Sequence, residues 1–175
     1  MGKIVLYIAS SLDGFIAKRN GDITWLDEFN VEGEDYGYSE FLNGVDIIVM
    51  GSKTYEQVLS FGKWPYESFK TYVLTRRNLD CVDGVEFYSG YLDSFVHNIK
   101  QQSRKNIWLV GGAMVAQNFL KQRYIDEIIL SIIPTILGDG ISLFKNEDGE
   151  VHLDLLQSKS YRNGVVQLHY AVKDR

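Results

Sequence analysis

The sequence predicts an α/β fold: a mostly parallel sheet of about eight strands, helices on both faces and an antiparallel hairpin at the C-terminus. Three observations predict it. Apolar runs such as Val45–Met50 and Ile107–Val110 read as strands buried on both faces, because they lack sustained alternation with polar residues. Between such runs lie segments with apolar residues at helical spacing, Leu92, Phe95, Val96 and Ile99 being the plainest. The last stretch, 151–172, is rich in β-formers and is broken at Arg162-Asn163-Gly164, where Asn-Gly suits a type I′ hairpin turn.

Taken in order, residues 3–9 form a strand that ends in turn chemistry at Asp13-Gly14. A short helix follows over 35–43, then the strand 45–50 and a helix over 52–60 that starts just after Gly51. Residues 71–75 and 85–88 are strands, 92–102 a helix, 107–110 a strand and 113–122 a helix. Residues 127–136 form a long strand, and the two arms of the closing hairpin complete the sheet. There is no internal repeat and no low-complexity tract, so the 175 residues are expected to make one domain, enough to bury roughly 68–70% of the unfolded surface.

Composition excludes several classes. A net charge of −5 lacks the basic footprint that nucleic acid demands, although it leaves room for a nucleotide held locally. The start, MGKIVLYIASSLDG, is too briefly apolar for a signal peptide or a membrane span. One cysteine, Cys81, and three scattered histidines supply neither a disulfide framework nor a metal site. The expected setting is a reducing cytoplasm, with no membrane or nucleic-acid partner.

Three strand ends carry anion chemistry. In MGSKTYE a strand stops at Met50, Gly51 turns, and a helix begins with Ser52, Lys53 and Thr54 to hand. Free N–H groups and the helix dipole suit a phosphate there, as they also suit an ordinary cap. Val110, Gly111, Gly112, Ala113, Met114 and Val115 repeat the design, with bare backbone open to close approach. It is not a G-x-G-x-x-G fingerprint, so the Rossmann assignment fails. Past a third strand, Leu74 and Thr75 lead to Arg76 and Arg77, which could grip a phosphate monoester or simply face water.

The segments YIASSLDGFIA, DITWL, IIVMGSKTYE, YVLT, IWLVGGAMVAQNFL and EIILSIIPTILGDGISLF occur in one order over nearly the whole chain. Together they resemble the dihydrofolate reductase superfamily. SLDG and PTILGDGISLF look more like its branch with the reductase domain of the bifunctional riboflavin-biosynthesis deaminase–reductase. The resemblance implies a central eight-stranded sheet with a reversed last strand, a cis peptide between Gly111 and Gly112, and NADPH as cofactor. It implies that Ala9 and Ile16 flank the nicotinamide. Gly51, Ser52, Lys53 and Thr54 would hold the diphosphate from one helix start, and Val110 to Val115 from the other. Leu74, Thr75 and Arg76 would surround the 2′-phosphate.

The same resemblance implies hydride transfer to a C=N or C=O of a small heterocycle, pterin-like or pyrimidine-like, or of an open-chain sugar. Counting back from Met50 without gaps places Asp35 where folate reductases keep an acid, and Ser131 matches the hydroxyl that contacts it. A carboxyl buried beside an apolar ring would have a raised pKa suited to proton relay. Trp25 is expected at the substrate, within an aromatic group with Tyr36, Tyr38, Phe41, Trp64 and Tyr66 at the site mouth.

Departures limit the transfer. Ser52, Met114 and Ala116 replace side chains that folate reductases use on the cofactor, and Phe69 stands where they clamp a glutamate tail. The segment after Gly51 lacks the acids of the riboflavin branch, and no deaminase motif is present. The substrate stays open, and so does the alternative of a non-catalytic nucleotide or pterin binder on the same fold. The closing hairpin would leave a sheet edge, and the branch resembled forms dimers, so a homodimer is expected.

Overall fold

The computed structural model describes residues 2–145 and 149–173. Its centre is an eight-stranded sheet of β1 (Ile4–Ser11), β3 (Val45–Gly51), β4 (Lys70–Leu74), β5 (Val85–Tyr88), β6 (Asn106–Gly111), β7 (Glu127–Ile133), β9 (Leu153–Ser160) and β10 (Val166–Val172). The spatial order is β5-β4-β3-β6-β1-β7-β10-β9. All neighbours up to β7 run parallel, and β10 and β9 close the sheet antiparallel. Two short strands, β2 (Phe15–Ala17) and β8 (Ile141–Ser142), pair separately.

Strand periodicity sorts the core into two layers. Ile4, Leu6, Ile47, Val49, Ile107 and Leu109 face α3 (Leu92–Gln102) and α4 (Ala113–Lys121), which contribute Phe95, Val96, Ile99, Ala116 and Phe119. Ile48, Met50, Val73 and Trp108 face the other way, toward α1 (Tyr38–Asn43) and α2 (Ser52–Ser60), with Tyr55 at the centre. Central strands covered on both sides need apolar side chains at every position, which is why their sequences run without alternation.

Three expectations need correction, and two features were not expected. The strand from Glu127 stops at Ile133 rather than residue 136, because Pro134 has no N–H to offer a ladder. The first helix begins at Tyr38 rather than 35, after a turn in which Gly37 is left-handed. The hairpin turn is not type I′, which needs positive φ at both Asn163 and Gly164. Only Gly164 is left-handed, at φ 88°, and its N–H returns to the Tyr161 carbonyl, giving a longer loop. Finally, a 3-10 helix at Thr24–Phe29 and the β2–β8 pair were not foreseen.

Candidate active site

Parallel strands bring their carboxyl ends to one edge of the sheet, where α/β proteins bind ligands. The register aligns the candidate segments along that edge. Leu74 lies opposite Gly51, and Met50 opposite Gly111. A Cβ placed on Gly111 would be 3.6 Å from Ile8 Cδ1, on the next strand. Ala9 pairs with Ser131, which pairs in turn with Gln167. One row therefore runs from Leu74, past both glycine turns, to Gln167.

The middle of the row is made of two helix starts. Gly51 caps α2 and Gly112 caps α4, and neither start has a side-chain cap. Their first N–H groups have no partner within the helix, and the dipoles make both ends positive. The starts are neighbours: a Cβ on Gly51 would lie 3.8 Å from the Gly112 nitrogen, and one on Gly112 would lie 3.2 Å from Thr54 Oγ1. Packing explains one glycine, since a Cβ on Gly51 would press Val115 Cγ2 at 2.9 Å. It does not explain Gly112, whose φ of −69° suits any residue and whose Cβ would meet nothing within 4 Å except Thr54. The Gly111–Gly112 peptide is cis. Two adjacent uncapped helix starts over bare backbone fit a diphosphate.

Beyond them a groove of about 330 Å³ is lined by Leu74, Thr75 and Arg76 after β4, by Tyr88 to Gly90 after β5, and by Met114, Val115, Asn118 and Phe119 of α4. The two arginines part company here. Arg77 grips Glu56 of α2 with both guanidinium nitrogens, at 2.8 and 2.7 Å, while its N–H donates to Thr75 Oγ1 at 3.0 Å. Arg76 is exposed and forms no ion pair among the described residues. Sequence left both open as phosphate ligands or solvated side chains; of the two, Arg77 is engaged and Arg76 is available.

On the other side of the glycine turns lies a cavity of about 370 Å³. Tyr7, Ile8 and Ala9 of β1 and Ser131 and Ile133 of β7 line it from the sheet. Leu26, Phe29, Asn30, Glu34, Asp35, Tyr36, Tyr38 and Val165 line it from the connections around it. Gln167 braces it, donating to the Ser131 hydroxyl and the Tyr36 carbonyl, both at 3.1 Å. Tyr36 holds an uncommon φ of 56° for an aromatic residue. Its hydroxyl donates to the Phe29 carbonyl and accepts from the Asn163 amide, tying the 3-10 helix to the hairpin turn. Tyr7 stacks on Phe41 with centroids 4.4 Å apart, and burial pushes its hydroxyl up to about 12. Burial raises the Tyr38 hydroxyl further.

Asp35 reaches this cavity but not in the expected state. It is exposed, and hydrogen bonds from Ser39 and from the Gly37 N–H hold its carboxyl below the usual range rather than above it. The N–H groups of Gly37 and Ser39 donate at 2.9 and 3.0 Å. Ser131 turns to Gln167 instead of to Asp35. An aspartate two residues before a left-handed glycine makes a local turn, and those N–H donors favour the anion.

The aromatic group divides. Tyr36 and Tyr38 line the cavity, and Phe41 backs Tyr7. Trp64 and Tyr66 belong to the α2 side of the core, packed against Tyr55 and Trp108. Trp25 sits half-buried one residue before Leu26 and does not line the cavity; its indole N–H is buried without a partner among the described residues. Ile16 is half-buried on β2 against the α3–α4 core. Sequence reasoning missed Tyr7 and Gln167. Tyr7 was within reach, because it shares the face of Ala9 by the two-residue period; Gln167 needed the β7–β10 register.

Among the described residues no helix is long and apolar enough to cross a membrane, and no three metal-ligating side chains gather. The family model for the RibD C-terminal domain matches residues 2–167. The uncharacterized protein YwjB of Bacillus subtilis is 44% identical over 170 residues, covering 96% of this chain and 97% of its own. A putative riboflavin biosynthesis protein from Shewanella sp. PV-4 superposes with a TM-score of 0.88 at 32% identity, over 99% of this chain and all of that one. The diaminohydroxyphosphoribosylaminopyrimidine deaminase/5-amino-6-(5-phosphoribosylamino)uracil reductase of Thermotoga maritima shares the fold, with a TM-score of 0.74 at 17% identity. The match covers 98% of this chain and 57% of that one.

Proposed function

The chain belongs to the RibD C-terminal domain family, and from that premise we propose that it is an NADPH-dependent reductase of a small pterin-like or pyrimidine-like heterocycle. The observation that carries the reading is the row along the sheet edge: an arginine-bearing groove, then two uncapped helix starts side by side, then an aromatic cavity. That order matches the parts of a dinucleotide and its hydride acceptor.

In this reading Arg76, with Leu74 and Thr75, holds the 2′-phosphate by charge-assisted bonds. Gly51, Ser52, Lys53 and Thr54 hold the diphosphate from one side, and Val110, Gly111, Gly112, Ala113, Met114 and Val115 from the other. Ala9 and Ile16 flank the nicotinamide, next to the cavity. The bound cofactor supplies the hydride, and the protein supplies alignment and exclusion of water. Ser131 and Tyr7 offer hydroxyls to the ring, and Trp25 stands on the same 3-10 helix as Leu26 and Phe29, which line the cavity. Asp35, held as an anion, would accept hydrogen bonds from the ring and orient it, and the proton that accompanies the hydride would come from a solvent acid.

We also propose a homodimer formed through β9 and β10, acting in the cytoplasm, a setting that suits the free, exposed Cys81. Titration of intrinsic fluorescence with NADPH and NADH tests the cofactor, and NADPH oxidation against a panel of heterocycles tests turnover. Binding without oxidation by any of them would leave a nucleotide-binding protein that does no chemistry.

A further inference from the structure

The cavity that the reading above assigns to the ring has an unusual balance of charge. The charged residues that line it are Glu34 and Asp35, and no lysine, arginine or histidine joins them. Both carboxylates are fixed in place. Glu34 accepts the Tyr36 N–H at 2.9 Å, and Asp35 accepts those of Gly37 and Ser39, so neither can swing aside for an incoming anion without losing these bonds. Neither forms an ion pair with a described cation. The devices suited to anions, the two helix starts and Arg76, all lie on the β4–β3–β6 side of the row.

One cation comes near by register. Lys159 lies across β10 from Gln167, on the face that carries Ser131. Its ammonium sits 4.6 Å from the centre of the Tyr161 ring, and it does not line the cavity. A phosphate monoester brings nearly two negative charges, and two carboxylates held at the same cavity with no cation between them repel those charges.

We infer that the substrate enters this cavity as a neutral or cationic ring without a phosphate, unlike the phosphoribosylated compound in the name of the Thermotoga maritima protein. The inference rests on the cavity being the ring site. The reaction that supplies this substrate must therefore deliver a dephosphorylated ring or one never phosphorylated.

Matched pairs test it: uridine against uridine monophosphate, and neopterin against neopterin phosphate, by equilibrium dialysis with NADPH-saturated protein. The phosphorylated member of each pair should bind at least tenfold more weakly. Glu34→Gln with Asp35→Asn should shrink that gap to under threefold, and NADPH affinity reports that the variant is folded. Equal or tighter binding of the phosphorylated members overturns the inference. So does their loss of binding in Lys159→Ala, and so does failure of all four compounds to bind. Titration with NADPH alone distinguishes the two readings: its failure to bind removes the cofactor role, while the pairs can still be compared on the protein without it.

Discussion

The Asp13 carboxylate accepts the backbone N–H of Gly138 at 2.8 Å, tying the loop after β1 to the loop after β7. The Leu137 N–H joins at 3.1 Å, and the Ser11 hydroxyl donates to the same carboxylate at 2.6 Å while accepting from the Phe15 N–H. Arg19, just past β2, pairs with Asp139 of the loop after β7. The segment carrying Ile16 is thus fastened over the edge where the nicotinamide is proposed.

The Ser11 hydroxyl, followed by the Gly138 and Leu137 N–H groups, lowers the Asp13 pKa in the folded protein. The folded value lies below the unfolded one, about 3.9 for an aspartate. The tie is therefore complete above that pH and is lost as pH falls through the lowered value. Asp13→Asn should lower the melting temperature by a few degrees at pH 7, with the gap to wild type closing as pH falls below the ordinary carboxylate range. A gap that stays the same size as the acid is titrated would mean that the charge is not what holds the loops.

Arg76 and Arg77 should separate cleanly. Losing a charge-assisted hydrogen bond costs about 1.5–3 kcal/mol, so Arg76→Ala should weaken NADPH roughly tenfold or more and leave NADH nearly unchanged. Arg77→Ala breaks the bond to Glu56 on the protein surface and should move neither cofactor by more than about twofold. Equal weakening of NADPH and NADH by Arg76→Ala would remove the 2′-phosphate role.

Gly112→Ala adds a methyl beside Thr54 at a backbone conformation that alanine accepts. The melting temperature should stay within a few degrees of wild type while NADPH binding falls by at least tenfold. Normal binding would leave the glycine as a simple turn. Gly51→Ala is the contrast, because its methyl collides with Val115 and should cost stability as well as binding.

What the sequence disclosed follows from where the determinants lie. Val45–Met50 and Ile107–Val110 declare buried strands because burial on both faces is written in consecutive residues. The glycine turns were legible because each strand end and helix start are contiguous. The β2–β8 pair was not, since it joins three residues to two across more than a hundred positions and is held by contacts such as Leu143 N–H to the Gly14 carbonyl. Asp35 was misread in its protonation because its partners are backbone N–H groups of a turn, which leave no side-chain pattern. The engagement of Arg77 was not legible because its partner, Glu56, is twenty-one residues away on a helix face.

The C-terminal edge poses the last question. Every residue of β9 is exposed, and Leu153, Leu155 and Leu156 are 37%, 56% and 52% exposed. Such an edge invites pairing unless charge guards it. Two of the charges available for that are engaged: Lys173 pairs with Asp154 at 2.7 Å, and Lys159 lies over the Tyr161 ring. A symmetric dimer would cover the leucines. Light scattering at micromolar concentration should therefore return twice the 20.0 kDa chain mass. Leu155→Lys should return the single-chain mass with the fold intact, because Leu155 is half-exposed already and leaves no cavity behind. A wild-type particle of 20.0 kDa would show that water, and not a second copy, covers this edge.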